Sequence, residues 1–212
     1  MKLIKAKITI LAIVSCVAGP LSAGELGPIR NCAWCHGTAV QGYAIAPRLA
    51  GQKEQYIENQ LLSFREHIRD NPYSKTYMWA AAANIDPGMA RELAAYISSL
   101  PPEAAQDGHR ELVAAGKTIY EMGIPDANVV SCVVCHGPNA EGVRQIPRLG
   151  GLSYSYLKSR LEQWGEGFHA AAVPMPQIAR SLSPHEIDAL ASYLSFVAYG
   201  SVERQSAISW RR

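Results

Sequence analysis

Apolar side chains recur at helical spacing in two stretches lying one hundred residues apart. Ile57, Leu61, Phe64 and Ile68 are separated by 4, 3 and 4 positions, and Leu157, Leu161, Trp164 and Phe168 repeat that spacing. The pattern predicts an amphipathic helix in each stretch. A second pair of helices follows. Asp86-Pro87 and Ser183-Pro184 each place an N-capping side chain before a proline at the first helical position. Glu186 completes a capping box in the later copy. Apolar faces follow these caps at Met89, Leu93, Tyr96, Ile97 and Leu100, and at Ile187, Leu190, Ala191 and Leu194. The fold class read from this periodicity is all-α.

The two halves match over more than their helices. Ala46-Pro47-Arg48-Leu49-Ala50-Gly51 lies on Ile146-Pro147-Arg148-Leu149-Gly150-Gly151, and Tyr56 lies on Tyr156. The second half then loses three residues, so Met78 falls on Met175 at an offset of 97, and Leu93 to Tyr96 falls on Leu190 to Tyr193. A repeat this long is two homologous domains, each large enough for its own core. The division expected is 24–100 and 108–200, with 101–107 as a linker beginning at Pro101-Pro102 and 201–212 as a tail without period. Gly108 to Tyr120 reads as a helix leading into the second unit, with Leu112, Gly116, Ile119 and Tyr120 on one side. The first unit has only 24–31 in that place, broken by Pro28. Its closing helix is therefore expected to leave part of the face at Met89, Leu93 and Ile97 bare, and an exposed apolar patch marks an interface.

Charge and the N-terminus set the compartment. Lys2, Lys5 and Lys7 precede an apolar run from Ile8 to Val17, the pattern of an export signal over 1–23. The run is too short for a membrane-spanning helix. Leu21-Ser22-Ala23 suits conventional cleavage, whereas Ile13-Val14-Ser15-Cys16 offers a second route, a lipid anchor at Cys16. The net charge is +2, and 1–23 contributes three lysines and no acid, so the remainder carries one net negative charge. Nothing in this balance suggests a nucleic-acid binder. The expected location is the periplasm, with peripheral membrane association if Cys16 is lipidated.

Four of the five cysteines form the pattern that decides the chemistry. Cys32-Ala33-Trp34-Cys35-His36 and Cys132-Val133-Val134-Cys135-His136 are two copies of Cys-x-x-Cys-His, the attachment signature of a c-type haem. The cysteines supply thioethers to the porphyrin edge, and the adjacent histidine is held against the iron. A zinc ribbon would need its cysteine pairs about 15–20 residues apart. A thioredoxin-like pair would need a strand-helix context that the flanking sequence lacks. Two short-loop disulfides would leave both histidines unexplained. The motifs therefore predict two covalently attached haem c groups, at Cys32 and Cys35 and at Cys132 and Cys135.

Cys-x-x-Cys-His, then Pro-Arg-Leu, a helix, a methionine and a closing helix, in that order and twice, resembles the class I cytochromes c. The tandem arrangement resembles the dihaem cytochromes of the cytochrome c-four type, over roughly residues 25–200. That resemblance implies His36 and His136 as proximal iron ligands and Met78 and Met175 as distal ones. It also implies that the carbonyls of Pro47 and Pro147 orient the ligating histidines, and that Arg48, Arg148, Tyr56 and Tyr156 belong to the haem environment as propionate partners. Methionine is more often a gap-filler in a core, and Met89 and Met122 are read that way. His67 and His169 are the alternative iron ligands, while His109 and His185, at helix starts, read as solvated. Met/His ligation favours reduced iron and closes the sixth position. The function implied is one-electron transfer, without catalysis of its own, between redox proteins: a donor complex or dehydrogenase and, as acceptor, a terminal oxidase. A dihaem peroxidase or a haem-based sensor would need an open iron.

Overall fold

The structure, a computed structural model, describes residues 29–43 and 45–198. The export signal, the Cys16 alternative and the 201–212 tail lie outside the described residues. Among the described residues nine α-helices follow one another: α1 Ala33–His36, α2 Glu54–Arg65, α3 Trp79–Ala82, α4 Pro87–Ser99, α5 Val113–Met122, α6 Val133–His136, α7 Tyr154–Gly165, α8 Met175–Arg180 and α9 Pro184–Phe196. A π-helical turn, Ser74–Met78, runs into α3, and short 3₁₀ turns precede α5 and α6. Among the described residues there is no strand, only single bridges such as Tyr43 to Ala46 and Val143 to Ile146. The protein is all-α, as the periodicity implies.

Each unit has its own core. In the first, Ile29, Val40, Ile57, Leu93, Ala94 and Ile97 cluster. In the second, Tyr120, Leu152, Leu157, Leu161, Leu190 and Leu194 do so. The closing helices start as their caps dictate. The Asp86 carboxylate accepts the Met89 amide at 2.9 Å, and Ser183 and Glu186 form both bonds of the capping box.

The long helices stop sooner than the apolar spacing suggests. α2 ends at Arg65 because His67 adopts a left-handed conformation (φ 59°), and its repeat partner Gly167 does likewise (φ 98°) after α7. Ile68 therefore lies beyond its helix and is 48% exposed. Phe168 also lies beyond its helix and is half-buried.

The two units differ in what covers the closing helix. α5 packs along α9 so closely that a Cβ on Gly116 would lie 2.0 Å from the Ala189 carbonyl oxygen. This helix begins later than the sequence suggests. Gly108 is pressed against Ser192 and donates its N–H to Ser195 Oγ, and the chain then bends at 108, is extended at His109 and forms a 3₁₀ turn over 110–112. Along α4, the positions equivalent to buried Ala189 and Ser192 are Glu92 and Ala95, and both are exposed. Among the described residues no helix lies on that face. The bare apolar face expected there is nevertheless absent at two of its three positions. Leu93 and Ile97 are 4% and 2% exposed, facing Ile29 and the core, and only Met89 is open, at 45%. Met122 is 70% exposed. Neither methionine is a core gap-filler.

The segment 101–107 is a strap, not a loose linker. Its Ala105 amide donates to the Gly151 carbonyl and its Gln106 amide to the Ser195 carbonyl. Pro102 fills the space beside Gly51, where a Cβ would come within 2.7 Å. At the junction of the units, buried Gln52 uses both ends of its amide on the backbone of Arg148: Nε2 donates to the carbonyl at 2.9 Å, and Oε1 accepts from the N–H at 2.7 Å. A buried side chain that matches both backbone groups of one residue fixes register between the units.

Candidate functional site

The Cys-x-x-Cys-His motifs each fold as one turn of helix, α1 and α6. The His36 amide donates to the Cys32 carbonyl at 2.9 Å and the His136 amide to the Cys132 carbonyl at the same distance. Positions i, i+3 and i+4 of a helix share a face, so both cysteines and the histidine of each motif line one cavity. The four cysteines are not joined in disulfides. Burial pushes the Cys32 thiol above its ordinary range and the Cys132 thiol up to about 11. Both are neutral thiols near pH 7.

Each histidine is fixed from behind. His36 Nδ1 lies 2.9 Å from the Pro47 carbonyl and His136 Nδ1 lies 3.0 Å from that of Pro147. A carbonyl can only accept, so Nδ1 carries the proton and Nε2 keeps its lone pair. Burial lowers both imidazole pKa values, against a smaller upward pull from the carbonyl. Both rings are therefore neutral and ready to ligate a metal. The loop that returns each proline needs a glycine. Gly42 and Gly142 have φ of +77° and +64°, and a Cβ there would meet the carbonyls of Ala46 and Ile146 at 2.6 and 2.4 Å.

The two sites open into one continuous cavity of about 1570 Å³, lined by both halves of the chain. That exceeds the roughly 300–1,000 Å³ of a single small-molecule pocket. Its walls explain the amphipathic helices. Ile57, Leu61 and Phe64 of α2, and Leu157, Leu161 and Trp164 of α7, face this space and not only a neighbouring helix. Met78 and Met175 line it too, reached by different backbone routes: Met78 ends the π-helical turn, whereas Met175 opens α8 after a shorter loop. Of the alternative ligands, His67 lies exposed, stacked on Trp79 with centroids 4.0 Å apart, and is not on the wall. His169 is on the wall but has its Nδ1 3.3 Å from Arg160. His109 and His185 are exposed.

Where the units meet, the wall turns polar. Tyr56 and Tyr156 are hydrogen-bonded to each other, and Arg69 Nη2 donates to the Tyr156 hydroxyl at 3.2 Å. Burial, reinforced by Tyr156, raises the Tyr56 pKa to about 12. Burial would also raise Tyr156, but Arg69 and Arg160 together bring it below its ordinary value. Burial, then the charge of Arg69, lowers Arg160 to about 10, and burial with both arginines lowers His169 to about 4. Two buried guanidiniums and an imidazole thus meet beside the carboxylate of Asp70, whose Oδ1 accepts the His169 amide at 2.6 Å. Such a cluster favours anions. On the same cavity wall, Trp164 has its indole N–H buried with no hydrogen-bond partner among the described residues.

The arginines of the two Pro-Arg-Leu motifs behave differently. Arg48 lines the cavity mouth and donates to the carbonyls of Gln41, at 2.8 Å, and Glu103, at 3.1 Å. Arg148 corrects the expectation made of it. It is fully buried and off the cavity wall, with its guanidinium on the carbonyls of Gly150 and, at 3.0 Å, Ala50. Its position at the junction turns it towards the other unit's backbone. Arg69 and Arg160 are the buried cations on the wall, and the repeat conceals them because Arg69 pairs with His169 and Arg160 with Gln60. One signal was available: Arg160 interrupts the apolar stripe of α7 between Leu157 and Trp164.

The residues fit a c-type haem: paired thiols and an oriented imidazole on one side, a thioether on the wall, apolar surfaces between, and anion-binding groups at the end. An all-α repeat built this way defines the class of covalent-haem proteins of the c type. The chain belongs to the cytochrome c family, whose model matches residues 27–101 and 113–197. The chain is similar to cytochrome c-552 of Acidithiobacillus ferridurans, 32% identical over 82% of this chain and 78% of that one. It is also similar to a thiosulfate dehydrogenase electron acceptor of Stutzerimonas stutzeri, 35% identical over 78% of each. Among solved structures, cytochrome c4 of Acidithiobacillus ferrooxidans matches with a TM-score of 0.74 and 32% identity, over 78% of this chain and 98% of that one.

Proposed function

We propose that this protein is a dihaem electron carrier of the periplasm. One observation carries the reading: both copies of the cysteine pair, the histidine and the methionine line one continuous cavity. Cys32 and Cys35 would hold one haem covalently and Cys132 and Cys135 the other, and His36 with Met78, and His136 with Met175, would ligate the two irons. Bound there, each haem supplies a one-electron iron couple. The chain's residues set the rest. Pro47 and Pro147 hold the imidazoles in one tautomer, and such an outer partner raises the basicity of a ligand. The Met78 and Met175 thioethers would favour reduced iron and leave it no position for another ligand. Arg69 and Arg160, with Tyr56, Tyr156 and Trp164, are the groups we assign to the propionates, in place of Arg148.

Donor and acceptor are redox proteins in this reading, with a dehydrogenase or donor complex on one side and a terminal oxidase on the other. The likeness to a thiosulfate dehydrogenase electron acceptor supports a dehydrogenase as donor. No helix among the described residues is long and apolar enough to cross a membrane. The N-terminal lysines and apolar run support export.

The test is covalent stoichiometry. After denaturation and acid-acetone extraction, colour should stay with the polypeptide, and the intact mass should exceed that of the processed chain by two haems. One haem, or none, would remove the basis of the proposal.

A further inference from the structure

The repeat is nearly symmetric at its cysteines, histidines and methionines, but not around the rim of the cavity they share. In the first unit four aromatic rings line the cavity with much of their surface in water: Trp34 is 88% exposed, Tyr43 81%, Tyr77 55% and Tyr73 42%. The second unit builds the same fold without them. Val134 stands for Trp34, Val143 for Tyr43 and Pro174 for Tyr77, and the shortened stretch 170–174 holds no ring. The fold therefore does not require these rings. Large exposed aromatics gathered on one rim are the composition of a protein–protein contact, where tryptophan and tyrosine supply rigid, amphipathic area.

Charge on the same rim selects the partner. Residues 29–50 and 71–85, the segments that carry these rings, contain no aspartate or glutamate, and they carry the exposed cations Arg30 and Lys75. Lys75 lies two residues before Tyr77, with its ammonium 5.8 Å from the centroid of the Trp79 ring. The matching segment of the second unit carries Glu141 beside Arg144.

We propose that the rim of the first unit is the docking surface for an acidic redox protein, one whose apolar contact patch is bordered by carboxylates. Trp34 and Tyr77 meet the apolar patch, while Arg30 and Lys75 face the carboxylates. The rim of the second unit takes no part in this contact. Opposite charges raise the encounter rate, and salt screens the effect.

The proposal rests on the electron-carrier reading, and the test separates the two. The full-length holoprotein is reduced and mixed by stopped flow with oxidised plastocyanin, a small acidic copper protein. One electron leaves Fe(II) to give Fe(III) and converts Cu(II) to Cu(I). The second-order rate constant should fall as salt rises. Lys75→Glu should lower it roughly tenfold at low salt, within the range of electrostatic steering, and Trp34→Ser several-fold at any salt. Val134→Ser in the second unit should leave it unchanged. With a basic acceptor, mitochondrial cytochrome c, Lys75→Glu should increase the rate. Spectra identical to the parent's would certify haem loading of each variant.

A holoprotein that transfers electrons but ignores both first-unit substitutions, or loses as much rate through Val134→Ser, overturns the docking surface while leaving the carrier reading intact. A dimer in sedimentation that dissociates with Trp34→Ser would also overturn it, since the rings would then be covered by a second copy. A holoprotein that exchanges no electrons would defeat the carrier reading itself.

Discussion

Replacing Met78 or Met175 by alanine should lower the potential of the affected site by on the order of 100 mV, a fraction of the range of about 0.8 V that axial ligands command. The same change should open that site to carbon monoxide and leave the other site closed. Both side chains line the cavity that their unit's histidine faces, and alanine removes the thioether without adding a polar group. Folding should suffer less than the redox behaviour. Met78 lies on a π-helical turn braced by the Ser74 hydroxyl on Asn71 and the Thr76 hydroxyl on the Pro72 carbonyl, and none of these bonds involves the thioether. Met175 opens α8 through its backbone, with its N–H on the Ala172 carbonyl at 2.9 Å. Optical redox titration with and without carbon monoxide measures both effects. A Met78 variant that keeps its potential and stays closed would return the distal position to another side chain. His169, on the wall, would be the first to examine.

The largest effect on stability is expected at Arg148. Arg148→Ala removes a fully buried side chain whose guanidinium spans the junction, donating to Gly150 in its own unit and Ala50 in the other. Leaving a buried acceptor without its donor costs about 1–3 kcal/mol, and the Gly150 and Ala50 carbonyls would both lose theirs, with a longer bond to the Arg48 carbonyl at 3.5 Å lost as well. A loss of roughly 2–4 kcal/mol is expected, read as a lower denaturant midpoint of the holoprotein. Arg48→Ala, at the same motif position but half-buried, should cost less than about 1 kcal/mol. The comparison also separates packing from cofactor contact. Because Arg148 stands off the cavity wall, neither potential should shift with its removal, whereas Arg69→Met or Arg160→Met should move at least one. Equal stability losses at Arg48 and Arg148, or a shifted potential in Arg148→Ala, would contradict this assignment.

What could be read from the sequence was local or repeated. The Cys-x-x-Cys-His motifs fold within a single helical turn, and the caps at Asp86 and Ser183 act over three residues, so neither depends on distant packing. Met78 and Met175 stand out from the other methionines because they coincide across the duplication, and the structure puts both on the cavity wall. What was not legible depends on the junction between the units. Arg48 and Arg148 occupy the same Pro-Arg-Leu motif, yet one reaches the rim and the other is buried, because only one faces the partner unit's carbonyls. Arg69 and Arg160 escaped because they break the repeat, and the polar wall they form exists only when the units meet. Ile68 and Phe168 fitted the helical period but fall after a left-handed residue, a backbone event that hydrophobic spacing does not encode. Met89 and Met122 looked like core residues by type alone, and both are exposed.

An electron carrier of this kind has two closed iron centres that each carry one electron and bind nothing else. The decisive measurement adds carbon monoxide to the fully reduced wild-type holoprotein during an optical redox titration. The expected result is two one-electron steps of similar amplitude, with spectrum and potentials unmoved by saturating carbon monoxide. A carbon monoxide adduct at either centre would contradict it, because an iron open to ligands belongs to a peroxidase or a sensor and not to a carrier.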